Sequence, residues 1–278
     1  MQTIENLFTK ICEKPLVIGI LNVTPDSFFD GGKYTKKAKI LQRAEQILAE
    51  GAKIIDIGGY SSRPSATDIS EKEELDRLKP AVELIQKHFP DAIFSVDTFR
   101  ANIAKFFVEN YGVQIINDIS GGTLDETMFD TISRLKNVIY VLMHLRGTPK
   151  TMQNFENTIY NNVTNDVFGF FEKKISELNL LNINKIIIDL GFGFAKTTEQ
   201  NFELLRNLSK FTIFGLPILV GMSRKTMLWK TLQCAPKDCL NATTVVNTMA
   251  LLNGAKILRV HDVKEAVECV KIFEQYNG

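Results

Sequence analysis

Asn22, Ser61 to Arg63, Asp97, Asn117, His144, Asp189, Lys225 and the pair Arg259 and His261 each follow a short run of β-branched and apolar residues. Their types complement one another. Carboxylates accept hydrogen bonds from N–H and NH₂ edges, and a carboxamide can donate and accept at once. Asp97, Asn117 and Asp189 facing one cavity could therefore read a guanine-like pyrimidine ring. In Arg259-Val260-His261, strand alternation sends Arg259 and His261 to one side and Val260 to the other. A fixed cation beside a titratable imidazole suits a pyrophosphate.

Three further segments admit two readings each. Gly58-Gly59-Tyr60-Ser61-Ser62-Arg63-Pro64 combines glycines, hydroxyls and one arginine, either as an anion clamp or as a solvated turn. Ser223-Arg224-Lys225 starts a short helix through Trp229 and either holds an anion there or forms a plain surface patch. Gly191-Phe192-Gly193-Phe194-Ala195-Lys196 lacks the Gly-Lys-Ser/Thr ending of a phosphate loop and reads as a sharp turn carrying aromatics.

The elements that must position these groups alternate regularly. Strands are expected at Leu16–Leu21, Ile54–Ile57, Ala92–Val96, Gln114–Asn117, Val138–Met143, Lys185–Asp189, Pro217–Val220 and Ile257–Val260. Their unbroken apolar character suits parallel strands buried on both faces. Helical spacing joins Ile40, Ala44, Ile47 and Leu48, then Leu75, Leu78, Val82 and Ile85, and again Val263, Ala266, Val267, Val270 and Phe273. Ser70 with Glu73 reads as a capping box. Eight β/α pairs without a Pro/Gly-rich linker predict one domain over 1–278, a single α/β (β/α)₈ TIM barrel, with the polar strand ends gathered at its C-terminal mouth. The long connections 24–35 and 58–70 are expected to be functional.

With 33 basic and 32 acidic residues the formal charge is +1, which argues against a broad nucleic-acid or anionic-lipid footprint. Cys12, Cys234, Cys239 and Cys269 lack the close pairs of a zinc site and read as reduced thiols. The first apolar run is too short for a membrane span and follows no basic signal region, so a soluble cytoplasmic protein is expected.

Taken together, the segments resemble the dihydropteroate synthase family of folate biosynthesis. The resemblance rests on Gly19-Ile20-Leu21-Asn22-Val23-Thr24-Pro25-Asp26-Ser27-Phe28, Ser61-Ser62-Arg63-Pro64 and Ser95-Val96-Asp97-Thr98. It continues through Ile116-Asn117-Asp118-Ile119-Ser120-Gly121-Gly122, Met143-His144, and Gly147-Thr148-Pro149-Lys150-Thr151-Met152. Asp189 with Gly191-Phe192-Gly193-Phe194, Ser223-Arg224-Lys225 and Arg259-Val260-His261-Asp262-Val263 complete the series in family order.

The resemblance implies a (β/α)₈ barrel, a homodimer, and joining of 6-hydroxymethyl-7,8-dihydropterin diphosphate to 4-aminobenzoate with help from Mg²⁺. By position it implies a pterin pocket of Asp97, Asn117, Asp189 and Lys225. Asn22 would hold Mg²⁺ and diphosphate, with Ser61, Arg63, Arg259 and His261 around the diphosphate. Phe28, Ser62, Phe192 and Thr226 would form the 4-aminobenzoate site, and Asp97, Lys225, Arg259 and His261 would carry catalysis. Tyr60, Ser62, Leu190, Ala195 and Phe29 stand where the family often has Glu, Thr, Pro, Gly and Ser. A pterin-binding methyltransferase domain and a non-catalytic pterin-binding protein are the alternatives. The first would not need the diphosphate clamp of Arg63, Arg259 and His261, and the second would not need Asp97, Lys225 and Arg259 together.

Overall fold

The computed structural model of the chain describes residues 3–24, 33–62 and 67–278. The expected loop residues Phe28, Phe29 and Arg63 lie outside the described residues.

Eight strands pair in chain order into a closed parallel barrel: β1 (Leu16–Asn22), β2 (Ile54–Gly58), β3 (Ile93–Asp97), β4 (Ile115–Asp118), β5 (Ile139–Met143), β6 (Ile186–Asp189), β7 (Ile218–Val220) and β8 (Ala255–Val260). Helices follow in order: α1 (Ile4–Glu13) before β1, then α2 (Lys33–Ala49), α3 (Glu71–His88), α4 (Ala101–Tyr111) and α5 (Met128–Arg134). The second half adds α6 (Phe155–Thr158), α7 (Val163–Leu180), α8 (Thr198–Arg206), α9 (Thr226–Leu232), α10 (Leu240–Leu252) and α11 (Val263–Asn277). The (β/α)₈ architecture is therefore the one its apolar runs imply.

Strand alternation divides the core in two. Outward residues such as Ile55, Val96, Tyr140 and Leu258 meet the helices in one large buried cluster. Inward residues Ile18, Ile54, Ile115, Ile139, Ile187, Leu219 and Ile257 fill the lower barrel. There the sequence held an unread element. Ile4, Leu7 and Ile11 of α1 join that inner cluster and close the floor of the barrel. Thr3 caps α1 by accepting from the Asn6 amide at 3.2 Å.

Two other expectations change in detail. β1, β2, β3 and β4 each run one residue past the expected strand, because Asn22, Gly58, Asp97 and Asp118 still pair laterally with neighbouring strands. The expected capping box on α3 is half formed. Ser70 accepts from the Glu73 amide at 3.1 Å, but the Glu73 carboxylate turns to Arg77 at 2.6 Å, a charged partner one turn on. A complete box instead starts α8, between Thr197 and Gln200. No helix among the described residues is long and apolar enough to cross a membrane.

The floor plug makes a prediction. Ile11 is fully buried in the inner cluster. Ile11→Ala should lower unfolding free energy by about 3 kcal/mol through lost burial and a residual cavity. Urea denaturation measures it, and a loss below about 1 kcal/mol would remove α1 from the core.

Candidate active site

The mouth of the barrel is laid out in rows. Asn22, Gly58, Asp97 and Asn117 lie side by side as lateral partners across β1 to β4. Asp56, one inward position below Gly58, is 1% exposed. From β8, inward-facing Arg259 reaches into this corner. Its Nε donates to Asp56 Oδ2 at 2.7 Å and its Nη2 to Asp97 Oδ2 at 2.7 Å. Asn117 Nδ2 donates to the same Asp56 oxygen at 3.2 Å, while Asp56 Oδ1 is buried without a hydrogen-bond partner among the described residues.

One guanidinium cannot neutralise two carboxylates in a buried site. Burial pushes Asp97 up most. Arg259 pulls it down and Asp56 pushes it further up, leaving the Asp97 carboxyl at about 7. Asp97 is therefore poised to change charge near neutrality.

The opposite wall comes from the ends of β6 and β7. Asp189 is buried, and its Oδ1 accepts from the Gly191 amide at 2.8 Å. Burial raises its carboxyl above the ordinary range, against the attraction of Lys225. Lys225, the residue before α9, donates from Nζ to the Phe192 carbonyl, and its Nζ stands 4.5 Å from the Phe194 ring centroid. Burial lowers the Lys225 ammonium to about 8, despite the pull of Asp189.

The turn after β6 is clamped from beneath. Gly191 has φ +70°, and a Cβ there would lie 2.1 Å from the His144 carbonyl oxygen. Lys196, buried under the turn, places Nζ 3.0 Å from each of His144 Nδ1, Gly191 O and Phe194 O. A lysine head group has donors for all three, with His144 as the ring acceptor. Burial pushes both the His144 imidazole and the Lys196 amine far down, so His144 stays neutral.

Around the corner, adjacent residues serve opposite faces. Asn117 points into the mouth, whereas Asp118 is tied behind the wall by Tyr140 Oη at 2.6 Å, Ser120 Oγ at 2.7 Å and the Gly122 amide at 2.8 Å. This fixes the turn after β4.

The structure thus gathers Asn22, Asp97, Asn117, Asp189, Lys225 and Arg259 at one mouth. Ser61 and Ser62 stand half-buried just beyond β2, and Thr226 is the exposed first residue of α9. Two expectations require correction. Phe192 does not wall a second site: its ring is fully buried in the outer core. Phe194 instead presents its ring beside Lys225, because the turn carries positive φ at Gly191, Gly193 and Ala195 and so breaks simple alternation. Arg259 is not a free clamp, since two carboxylates already hold its guanidinium.

His261 follows Arg259 but is exposed at the rim. Its amide donates to Ser223 Oγ at 3.3 Å, and its carbonyl accepts from Arg43 at 2.6 Å. Arg224 is likewise committed, donating to both Asp262 oxygens at 2.8 Å. Sequence reasoning missed Asp56, whose signal was a lone carboxylate inside an apolar run. It also missed Lys196, a lysine closing a tight glycine turn.

This fold and mouth define a pterin-binding enzyme: the family model described as pterin binding enzyme matches residues 18–261. The dihydropteroate synthase of Haemophilus influenzae is 40% identical over 262 residues, spanning 94% of this chain and 93% of its own. Among solved structures, the Yersinia pestis dihydropteroate synthase in a sulfonamide drug complex superposes with TM-score 0.85 at 40% identity, covering 96% of this chain and 95% of that one. The Xanthomonas albilineans dihydropteroate synthase with 4-aminobenzoic acid gives 0.86 at 32% identity, covering 96% and 94%. The chain belongs to this family and, within it, to the dihydropteroate synthases, transferases of folate biosynthesis.

The shared cation generates a test. Asp56→Asn leaves Arg259 to Asp97 alone, so the Asp97 carboxyl, now at about 7, should titrate at least about one unit lower. Carbon-13 NMR of labelled aspartate reads this directly. An unmoved titration would mean that Asp56 does not act on Asp97.

Proposed function

We propose that this mouth joins 6-hydroxymethyl-7,8-dihydropterin diphosphate to 4-aminobenzoate through the groups just described, releasing pyrophosphate and 7,8-dihydropteroate. One observation carries the assignment: two carboxylates and a carboxamide, Asp97, Asp189 and Asn117, line one buried mouth with Lys225 and Arg259 between them. Asp189 and Asn117 supply acceptor and mixed hydrogen-bonding groups for the amino-pyrimidinone edge, and Lys225 donates to its carbonyl. Arg259 holds Asp97 in place and meets the negative diphosphate only through the donors that Asp56 and Asp97 leave it. His261 at the rim, with Ser61 and Arg63, completes the anion end.

As the bond to pyrophosphate loosens, positive charge spreads from the exocyclic methylene into the pterin ring. The Asp97 carboxylate stabilises that charge, and the arylamine attacks the methylene without a covalent enzyme intermediate. Thr226 and Ser62 receive the carboxylate and ring of the second substrate, the role the family resemblance also gives to Phe28. Phe194 takes the walling role first given to Phe192. The Xanthomonas relative was solved with 4-aminobenzoic acid and the Yersinia relative with a sulfonamide, which supports an aryl site and a sulfonamide response in this chain.

Mg²⁺ fits the Asn22 corner. A Cβ at Gly58 would lie 3.2 Å from Asn22 Oδ1 and 3.7 Å from Asp97 Oδ2, so the missing side chain leaves a hollow between these oxygens. Asn22 gives one hard oxygen, which suits an ion that takes its other ligands from diphosphate and water. Bound there, Mg²⁺ would neutralise charge on the departing pyrophosphate.

The proposal extends to a homodimer acting in the cytoplasm. Met249 and Leu252 on α10 and Ile272 and Tyr276 on α11 are exposed apolar side chains beside a cleft of about 540 Å³. Burying this face between two copies removes it from water. Sedimentation should give twice the chain mass, and a monomer at micromolar concentration would refute the dimer. The four cysteines are free, in keeping with a reducing compartment.

The direct assay follows pyrophosphate and dihydropteroate with and without Mg²⁺. Turnover should require 4-aminobenzoate and be lost in Asp97→Asn; full activity in that variant would remove Asp97 from the mechanism. The working forms are the Asp97 carboxylate and the Lys225 ammonium. In the same assay kcat/KM should therefore fall below about 7, as Asp97 gains its proton, and above about 8, as Lys225 loses one. Lys225→Arg should abolish the upper limb alone.

A further inference from the structure

Cys234 and Cys239 are five positions apart, and the fold brings them together: their Sγ atoms lie 3.4 Å apart. The segment between them is a tight turn with a 3₁₀ helix at Pro236–Asp238. Cys234 is half-buried at its open end, and Cys239 is buried at the start of α10. A disulfide bond is about 2.05 Å long, so the sulfurs need to close by roughly 1.4 Å, within the play of two χ1 rotations. Cys12 and Cys269 have no such partner among the described residues.

We propose that Cys234 and Cys239 form a reversible disulfide, a modification site coupled to the turn that carries Lys225. The accessible Cys234 thiolate attacks one sulfur of a low-molecular-weight disulfide, expelling one small thiolate and forming a mixed disulfide. Cys239, losing its proton to solvent, then attacks Cys234 Sγ and expels the second small thiolate. The protein loses two electrons and two protons, and one small disulfide becomes two thiols.

The coupling has two strands. Arg224 Nη1 donates to the Lys237 carbonyl at 2.5 Å and to the Pro236 carbonyl at 3.3 Å, both inside the turn between the cysteines. Thr243 Oγ1 donates to the Cys239 carbonyl at 2.8 Å and accepts from the Arg224 amide at 3.1 Å. Arg224 itself holds φ +54°, a strained left-handed backbone next to Lys225. Drawing the two sulfurs together tightens the turn that supports both contacts, and so moves Lys225 and Thr226 relative to the barrel.

The test uses the full-length protein equilibrated with oxidised and reduced glutathione, quenched by N-ethylmaleimide and mapped by mass spectrometry. The expected product is a Cys234–Cys239 cross-link, reversed by dithiothreitol. Cys239→Ser should strand Cys234 as its glutathione mixed disulfide, and Cys234→Ser should leave Cys239 reduced. Wild-type protein whose Cys234 and Cys239 are both alkylated under excess oxidised glutathione, or whose Cys234 stops at the mixed disulfide, would overturn the site.

The coupling rests on the reaction proposed above and is read separately. Cross-linking should change KM for 4-aminobenzoate at least about threefold, with no such change on oxidant treatment of Cys234→Ser. An unchanged KM in the cross-linked enzyme would overturn the coupling while leaving the mapped disulfide in place.

Discussion

The mouth of this barrel depends on one cation shared by two carboxylates. Arg259 extends from β8 to Asp56 on β2 and Asp97 on β3, and so joins strands on both sides of the barrel's closing seam at β1. Such a buried network is costly to desolvate and costlier to break, because removal of Arg259 strands two carboxylates. Its functional value lies in its imbalance. With charge to spare on the acidic side, Asp97 sits close to its own titration point, and the network presents at the mouth a carboxylate whose position is already fixed.

The second wall solves a different problem. Asp189 ends a strand, but Lys225 and Phe194 belong to turns, which the barrel ladder does not fix. Here buried side chains replace the ladder. Lys196 gathers His144, Gly191 and Phe194 from below, and Arg224 ties its own turn to Asp262 and to the segment ahead of α10. Lys196 satisfies carbonyls that would otherwise be left in the interior without donors, whereas Arg224 pins carbonyls of an exposed turn.

How much of this the amino-acid order discloses depends on the element. Strand-end residues are legible because apolarity stops abruptly at Asn22, Asp97, Asn117 and Asp189, and the barrel converts those stops into a common mouth. Asp56 is concealed because it interrupts a run whose other members, Ile54, Ile55 and Ile57, are all apolar, and its partner is 203 positions away. The choice between Phe192 and Phe194 turns on backbone dihedrals at three alternate left-handed positions, Gly191, Gly193 and Ala195, which no apolar periodicity encodes. α1 carried a readable spacing at Ile4, Leu7 and Ile11, but its burial depends on an open barrel floor that exists only after closure.

The departures from the family pattern follow the same division. Tyr60, Ser62, Leu190 and Ala195 all lie beyond strand ends, and none falls on Asp56, Asp97, Asn117, Asp189 or Arg259. Ala195 shows how such a change is absorbed. Its φ of +50° costs a non-glycine residue about 1–2 kcal/mol, while its methyl is buried among Ile119, Met143, Leu145 and Met152, returning roughly 0.8 kcal/mol. Tyr60 stacks edge-on against Phe99, 5.1 Å between ring centroids, and so fastens the start of the β2 loop to the turn after β3. Strand positions cannot vary in this way, because displacing one carboxylate disturbs the cation shared with the other. The departures at Tyr60, Ser62, Leu190 and Ala195 thus fall on turns, while Asp56, Asp97 and Arg259 keep the shared ion pair at the strand ends.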